Sequence, residues 1–188
     1  MSAVGPHSAT HPQRIGPYRI LAPLGLGGGG VVYRAVHFAT GELAAVKTVA
    51  AASGDASALR REIRTLSALR HPGVASILTE GVSDGVPWYA MELVGGETLR
   101  RHLRRASSFE ERSALLPIVA GLCEPLAFLH GHGIVHRDVK PSNVVVAEDR
   151  PVIVDLGLTA RFAGAEGRDA LEAAGLAIGS AAYMPPEQ

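Results

Sequence analysis

The sequence predicts an α+β fold in two lobes: a five-stranded antiparallel lobe carrying one helix, then a mainly helical lobe. Three observations predict it. Short apolar runs of strand character, punctuated by glycine turns, fill most of residues 15–94. Within that region one stretch, residues 53–73, changes to helical period. Beyond Gly95-Gly96 the pattern is mostly helical, with only two further short strand-like runs.

In chain order, residues 1–14 mix Pro, Ser and His without periodicity and are expected to form a disordered leader. "YRILAPLG", "GVVYRAVH" and "GELAAVKTV" read as antiparallel strands, with Thr40-Gly41 closing one hairpin. In "SGDASALRREIRTLSALRHPG", Leu59, Ile63, Leu66 and Leu69 share one helical face, and Pro72-Gly73 stops the run. "VASILTEGV" and "VPWYAMELV" are the fourth and fifth strands, turned at Ser83-Asp84-Gly85. Gly95-Gly96 is the expected hinge. Ser108 and Glu111 form a capping box that should open one long apolar helix reaching about His130. "NVVV" and "PVIVDLG" follow as short strands. The expected units are therefore a leader (1–14), a first lobe (15–94) and a second lobe (95–188).

With 18 acidic against 18 basic side chains, the 188-residue chain has no general attraction to nucleic acid or to a membrane surface. Its 47% hydrophobic and 19% charged residues are those of an ordinary globular protein. Cys123 is the one cysteine, which excludes a disulfide framework and a cysteine-built zinc site and suits a reducing cytoplasm. The most apolar stretch, residues 115–135, carries Pro117, Glu124, Pro125 and two histidines, so no membrane segment is expected within the chain.

Only two of the 18 basic residues are lysines, Lys47 and Lys140. Each stands in a stretch suited to phosphate chemistry. Residues 25–32, G-L-G-G-G-G-V-V, satisfy G-x-G-x-x-G-x-V between two strands. Four consecutive glycines also suit a plain flexible turn, and a dinucleotide fingerprint would need a helix next, where a strand follows instead. A strand-loop-strand hairpin whose backbone closes over phosphates fits the context. Lys47 ends "AAVK" on the third strand, and an inward ammonium there must find an anion. Glu62 on the following helix lies on nearly the same face as Leu66. In "HRDVKPSN", Asp138 can accept a hydroxyl proton, Lys140 can neutralise a transferring phosphoryl group, and Asn143 offers an oxygen to a metal. Asp155, twelve residues further on, closes an apolar strand with a carboxylate suited to Mg²⁺. A lysine ammonium is a compact point charge on a slim stem, whereas Arg is a broad fork, which favours Lys beside a crowded triphosphate.

These motifs resemble a bacterial eukaryotic-type (Hanks-type) Ser/Thr protein kinase catalytic domain, from about Ile15 to the final "GSAAYMPPEQ". The resemblance implies a kinase-like fold whose second lobe is partial, ending after the activation segment. It implies ATP and Mg²⁺ as cofactors and protein Ser/Thr hydroxyls as acceptors. Lys47 would bind the α and β phosphates and pair with Glu62; Asp138 would be the base, Lys140 the γ-phosphate contact, and Asn143 and Asp155 the metal ligands. Gly25, Gly27 and Gly30 would shape the phosphate loop. Val32, Ala45 and Val145 would sandwich the adenine, the backbone of Glu92 and Val94 would bind its edge, and Met91 would stand beside it as gatekeeper. Glu97 is a further candidate, for the ribose.

Departures from the family pattern carry expectations of their own. Gly29 stands where an aromatic is usual, which should soften the lid and weaken nucleotide affinity. Leu156 replaces the Phe of DFG, and Pro186 replaces an Ala before Glu187. No Ser, Thr or Tyr lies in residues 160–179, so Arg137 is expected to pair with a carboxylate among Glu166, Asp169 and Glu172 rather than with a phosphate on Thr159 or Ser180. An inactive nucleotide-binding or scaffolding module is an alternative reading; a small-molecule kinase is argued against by "KPSN". His130, His132 and His136 are discounted as a metal trio, "LRRHLRR" is read as a solvated helix face, Cys123 as a small core residue, and Trp88 and Tyr89 as packing.

Overall fold

The computed structural model describes residues 11–27, 30–49, 63–64, 66–136, 138–155 and 183. Six strands form one antiparallel sheet: β1 (Arg14–Ile15), β2 (Tyr18–Gly27), β3 (Gly30–His37), β4 (Leu43–Thr48), β5 (Ile77–Ser83) and β6 (Val86–Glu92), in the order β1-β2-β3-β4-β6-β5. The five expected strands are all there. The sixth, β1, pairs Arg14 with Arg19 and Ile15 with Tyr18, so the last residue of the expected leader is in a strand; residues 1–10 lie outside the described set. Ile15 holds this edge because its side chain is buried with Tyr18 and Trp88.

Alternation along β4 and β6 splits the apolar side chains of the sheet into two layers. Ala44, Val46, Trp88 and Ala90 join Tyr18, Tyr33 and Ala35 on one face. Ala45, Tyr89 and Met91 turn to the other face, into a core that also holds Ile63, Leu66, Leu129, Val144 and Ile153. Ile63 and Leu66, both nearly fully buried, bear out the apolar stripe of the expected helix; most of that helix, Glu62 included, lies outside the described residues.

The second lobe begins with β7 (Glu97–Thr98) and α1 (Leu99–Arg105), and later adds β8 (Val144–Ala147) and β9 (Arg150–Ile153), the sheet order being β7-β8-β9. The capping box at Ser108 is present, with Ser108 Oγ accepting from Glu111 N at 3.1 Å and Glu111 Oε2 accepting from Ser108 N at 3.2 Å. The single long helix expected beyond it is three helices in series, α2 (Phe109–Ser113), α3 (Leu116–Ala120) and α4 (Cys123–Gly131). Pro117 and Pro125 explain the breaks: neither can donate to the carbonyl four residues back, at Ser113 and Gly121, which is where the ladder stops. Cys123, expected in the core, is instead exposed at the start of α4.

The segment between helix and β5 ties the lobes together. Ile153 N donates to Gly73 O at 2.9 Å, Ala75 N donates to Ile153 O at 2.8 Å, and Glu92 N donates to Ser76 O at 2.9 Å. The end of β9, and hence Asp155 two residues later, is thereby fixed relative to the strand leading into the hinge.

Candidate active site

Strand register sets the position of Lys47. On β4 it stands opposite Val32 of β3 and opposite Tyr89 of β6. It is 4% exposed, and its neighbour two residues back, Ala45, faces the core that holds Met91. A buried ammonium requires a counter-charge, and Asp155 supplies it: Lys47 Nζ lies 2.6 Å from Asp155 Oδ2. The other carboxylate oxygen, Oδ1, accepts a hydrogen bond from the Tyr89 hydroxyl at 3.3 Å. Burial, then the Asp155 charge and its hydrogen bond, hold the Tyr89 phenol well above its ordinary pKa.

Tyr89 is the site residue that the sequence reading assigned to packing alone. It is buried as packing would require, yet its hydroxyl reaches a charged group 66 residues away. The signal was the register: once β4 and β6 are paired with Ala45 opposite Met91, Tyr89 must stand opposite Lys47 on the same face.

Residues 136–143 form a second, locally built cluster. A 3-10 turn over Pro141–Asn143 brings Asn143 back onto Asp138, its Nδ2 donating to Asp138 O at 3.0 Å and to Asp138 Oδ2 at 3.1 Å. Lys140 Nζ lies 2.7 Å from the same Oδ2. His136, buried, accepts from Asp138 N through Nδ1 at 3.2 Å, which places the ring proton of the neutral form on Nε2. Burial lowers the His136 pKa, opposed by the charges of Asp155 and Asp138, both close to the ring.

The β8–β9 hairpin joins the clusters. Val144 stands opposite Ile153, and Val154 N donates to Asn143 O at 3.0 Å, so Asn143 and Asp155 emerge at one end of the hairpin. Val144 and Val146 enter the core, while Val145 between them turns to the opposite face. Gly96 crosses that face so closely that a Cβ would lie 2.1 Å from Val146 O. Glu92 and Val94 lead from β6 into the hinge, the N–H of Glu92 already committed to Ser76.

Gly25 stands opposite Val32 and Gly27 opposite Gly30, closing the β2–β3 hairpin; Gly28 and Gly29 at its tip lie outside the described residues. Gly30 packs against β4 at φ +133, where a Cβ would fall 1.8 Å from Thr48 O. Thr48 Oγ1 adds a clasp, accepting from Val31 N at 3.2 Å one residue beyond Lys47.

Glu97 is engaged elsewhere: its carboxylate pairs with Arg101 at 3.2 Å and with Arg105 on α1, which draws it away from the ribose role considered above. His132 Nδ1 bonds Phe128 O at 2.8 Å. Arg137, Leu156, Thr159, Glu166, Asp169, Glu172, Ser180, Pro186 and Glu187 lie outside the described residues, and the expectations placed on them with them.

A family model described as protein kinase domain matches residues 18–188. The chain is 35% identical over 181 residues to serine/threonine-protein kinase AfsK of Streptomyces coelicolor, covering 94% of this chain and 22% of that protein. It is 35% identical to serine/threonine-protein kinase pkn2 of Myxococcus xanthus, covering 92% of this chain and 21% of the relative. It is 36% identical to the DNA damage-responsive serine/threonine-protein kinase RqkA of Deinococcus radiodurans, covering 92% and 26%. The chain thus spans about a fifth to a quarter of the length of these relatives. Among solved structures, the apo form of PpkA-294 superposes with a TM-score of 0.67 at 21% identity, over 87% of this chain and 67% of that one, a likeness of fold.

Proposed function

The chain belongs to the protein kinase domain family, and on that premise we propose that it transfers the γ-phosphoryl group of ATP to Ser or Thr hydroxyls of proteins. The observation that carries this reading is the 2.6 Å contact between Lys47 and Asp155, residues 108 apart in sequence and from different lobes. Packing alone does not require a buried ammonium and a carboxylate from so far apart in the sequence to meet.

In the reaction the acceptor oxygen bonds to the γ-phosphorus as the bond to the β,γ-bridging oxygen breaks and ADP leaves. Asp138 takes the hydroxyl proton. Its donors among the described residues, Lys140 and Asn143, fall on Oδ2, which leaves Oδ1 for the substrate. Lys140, partly exposed beside that carboxylate, neutralises the transferring group in this reading. By the family resemblance Val32, Ala45, Met91 and Val145 would sandwich the base and the backbone of Glu92 and Val94 would bind its edge; Ala45 and Met91 stand opposite each other across β4 and β6. Asn143 and Asp155 offer oxygen donors at one end of the β8–β9 hairpin, the donor class a hard divalent cation takes. Magnesium held there would neutralise phosphate oxygens. With little covalent chemistry for the protein to perform, positioning and charge account for the rate.

Partners under this reading are ATP and protein hydroxyls in a reducing cytoplasm, with no part for nucleic acid. Phe109–Gly131 is by length and composition apolar enough to cross a membrane, and 17% of its most apolar 18-residue window is buried. We read it as the floor of the second lobe, because Leu122 and Leu129 are built into the core shared with Met91 and Ile153. The test is radiolabel transfer from ATP with Mg²⁺ to a generic basic protein, comparing wild type with Asp138→Asn. A loss of about 10²-fold or more is expected on substitution; transfer at close to the wild-type rate overturns the assignment.

A further inference from the structure

We propose that Tyr89 is a positioning residue for Asp155, its hydroxyl fixing one carboxylate oxygen so that the other keeps its aim when Lys47 or a divalent cation meets it. The proposal rests on the phosphotransfer reading only through the role given there to Asp155.

Asp155 lies beyond the end of β9, outside any strand ladder; the last backbone bond before it is from Val154 N to Asn143 O. Its carboxylate is therefore oriented by what its oxygens meet, Lys47 on Oδ2 and Tyr89 on Oδ1. These two are not equivalent. When Lys47 turns to the phosphates of a bound nucleotide, Tyr89 remains as the donor among the described residues. Its position is rigid: it is 1% exposed, held in register between β4 and β5 opposite Lys47 and Glu80. Packing does not account for the hydroxyl, since a phenyl ring would fill the same space without burying a polar group.

Tyr89→Phe in the full-length gene product tests this through binding of a fluorescent ADP analogue with and without Mg²⁺. Affinity should fall about tenfold with Mg²⁺, the low end of what a hydrogen bond to a charged group contributes, and stay unchanged without it. In an Asp155→Asn background the same substitution should have no further effect. Equal affinities of wild type and Tyr89→Phe in Mg²⁺, or an equal loss with and without the metal, would overturn the proposal. A wild type that binds in the Tyr89-dependent way but transfers no phosphate would remove the phosphotransfer reading and leave the positioning role standing.

Discussion

The two halves of the site are built by opposite means. The Asp138 cluster is mainly local: the side-chain bonds described among His136, Asp138, Lys140 and Asn143 span five residues or fewer, and Val154 N on Asn143 O ties it to the end of β9. The Lys47 cluster is non-local, its bonds spanning 66 and 108 residues and its geometry set by the β4–β6 register. A local cluster survives small shifts of the lobes, because its members move together. A cluster drawn from both lobes depends on every ladder that holds them in place, and so couples nucleotide binding to lobe arrangement.

Substitutions can break or sharpen this contrast. The largest effect belongs to the local half. Asp138→Asn should reduce phosphotransfer by about 10²–10⁴-fold, the range for losing a positioned general base, while leaving nucleotide affinity and unfolding midpoint nearly unchanged. In the non-local half, Lys47→Met should register in stability as well as activity. Removing one partner of this largely buried pair costs about 3 kcal/mol in urea unfolding, and adding Asp155→Asn should recover most of it; additive losses would show that the pair is not coupled. Gly30→Ala comes next. Its Cβ would meet Thr48 O at 1.8 Å, and forcing this backbone should cost about 1–3 kcal/mol, with weaker nucleotide binding and no change in the Asp138 cluster.

The smallest effect is a pH dependence of the local half. Burial holds the His136 pKa below its ordinary 6.5, so the unfolded chain binds the proton first on acidification. The stability contributed by neutral His136 is complete above that value and lost as pH falls below it. His136→Gln should flatten the acid-side fall in melting temperature; an unchanged slope would place the acid sensitivity elsewhere.

Legibility followed the same division. "HRDVKPSN" is legible as a unit because the side-chain bonds described from His136, Lys140 and Asn143 to Asp138 close within the string. Lys47 and Asp155 were legible as residue types in order, and the structure brings them together. Tyr89 was not legible, because its partner across β4 depends on register and its partner in the other lobe depends on how β9 is tied to Gly73 and Ser76. Nor was the break-up of the helix after Ser108, although Pro117 and Pro125 were in view; the apolar pattern outweighed two missing donors in the reading but not in the structure. Glu97 was misdirected for a similar reason: its partners Arg101 and Arg105 follow it on one helix face, four and eight residues on.

The sequence by itself determined the five main strands of the first lobe, the capping box at Ser108, the catalytic loop and the chemistry its side chains can perform, since period, turn residues and hydrogen bonds over a few residues are local physics. The tertiary structure alone decided which oxygen of Asp155 meets Lys47 and that a buried tyrosine shares the carboxylate. The reason is that a strand ladder converts a one-residue choice of register into the position of every side chain along it, and no short stretch of sequence contains both sides of that choice.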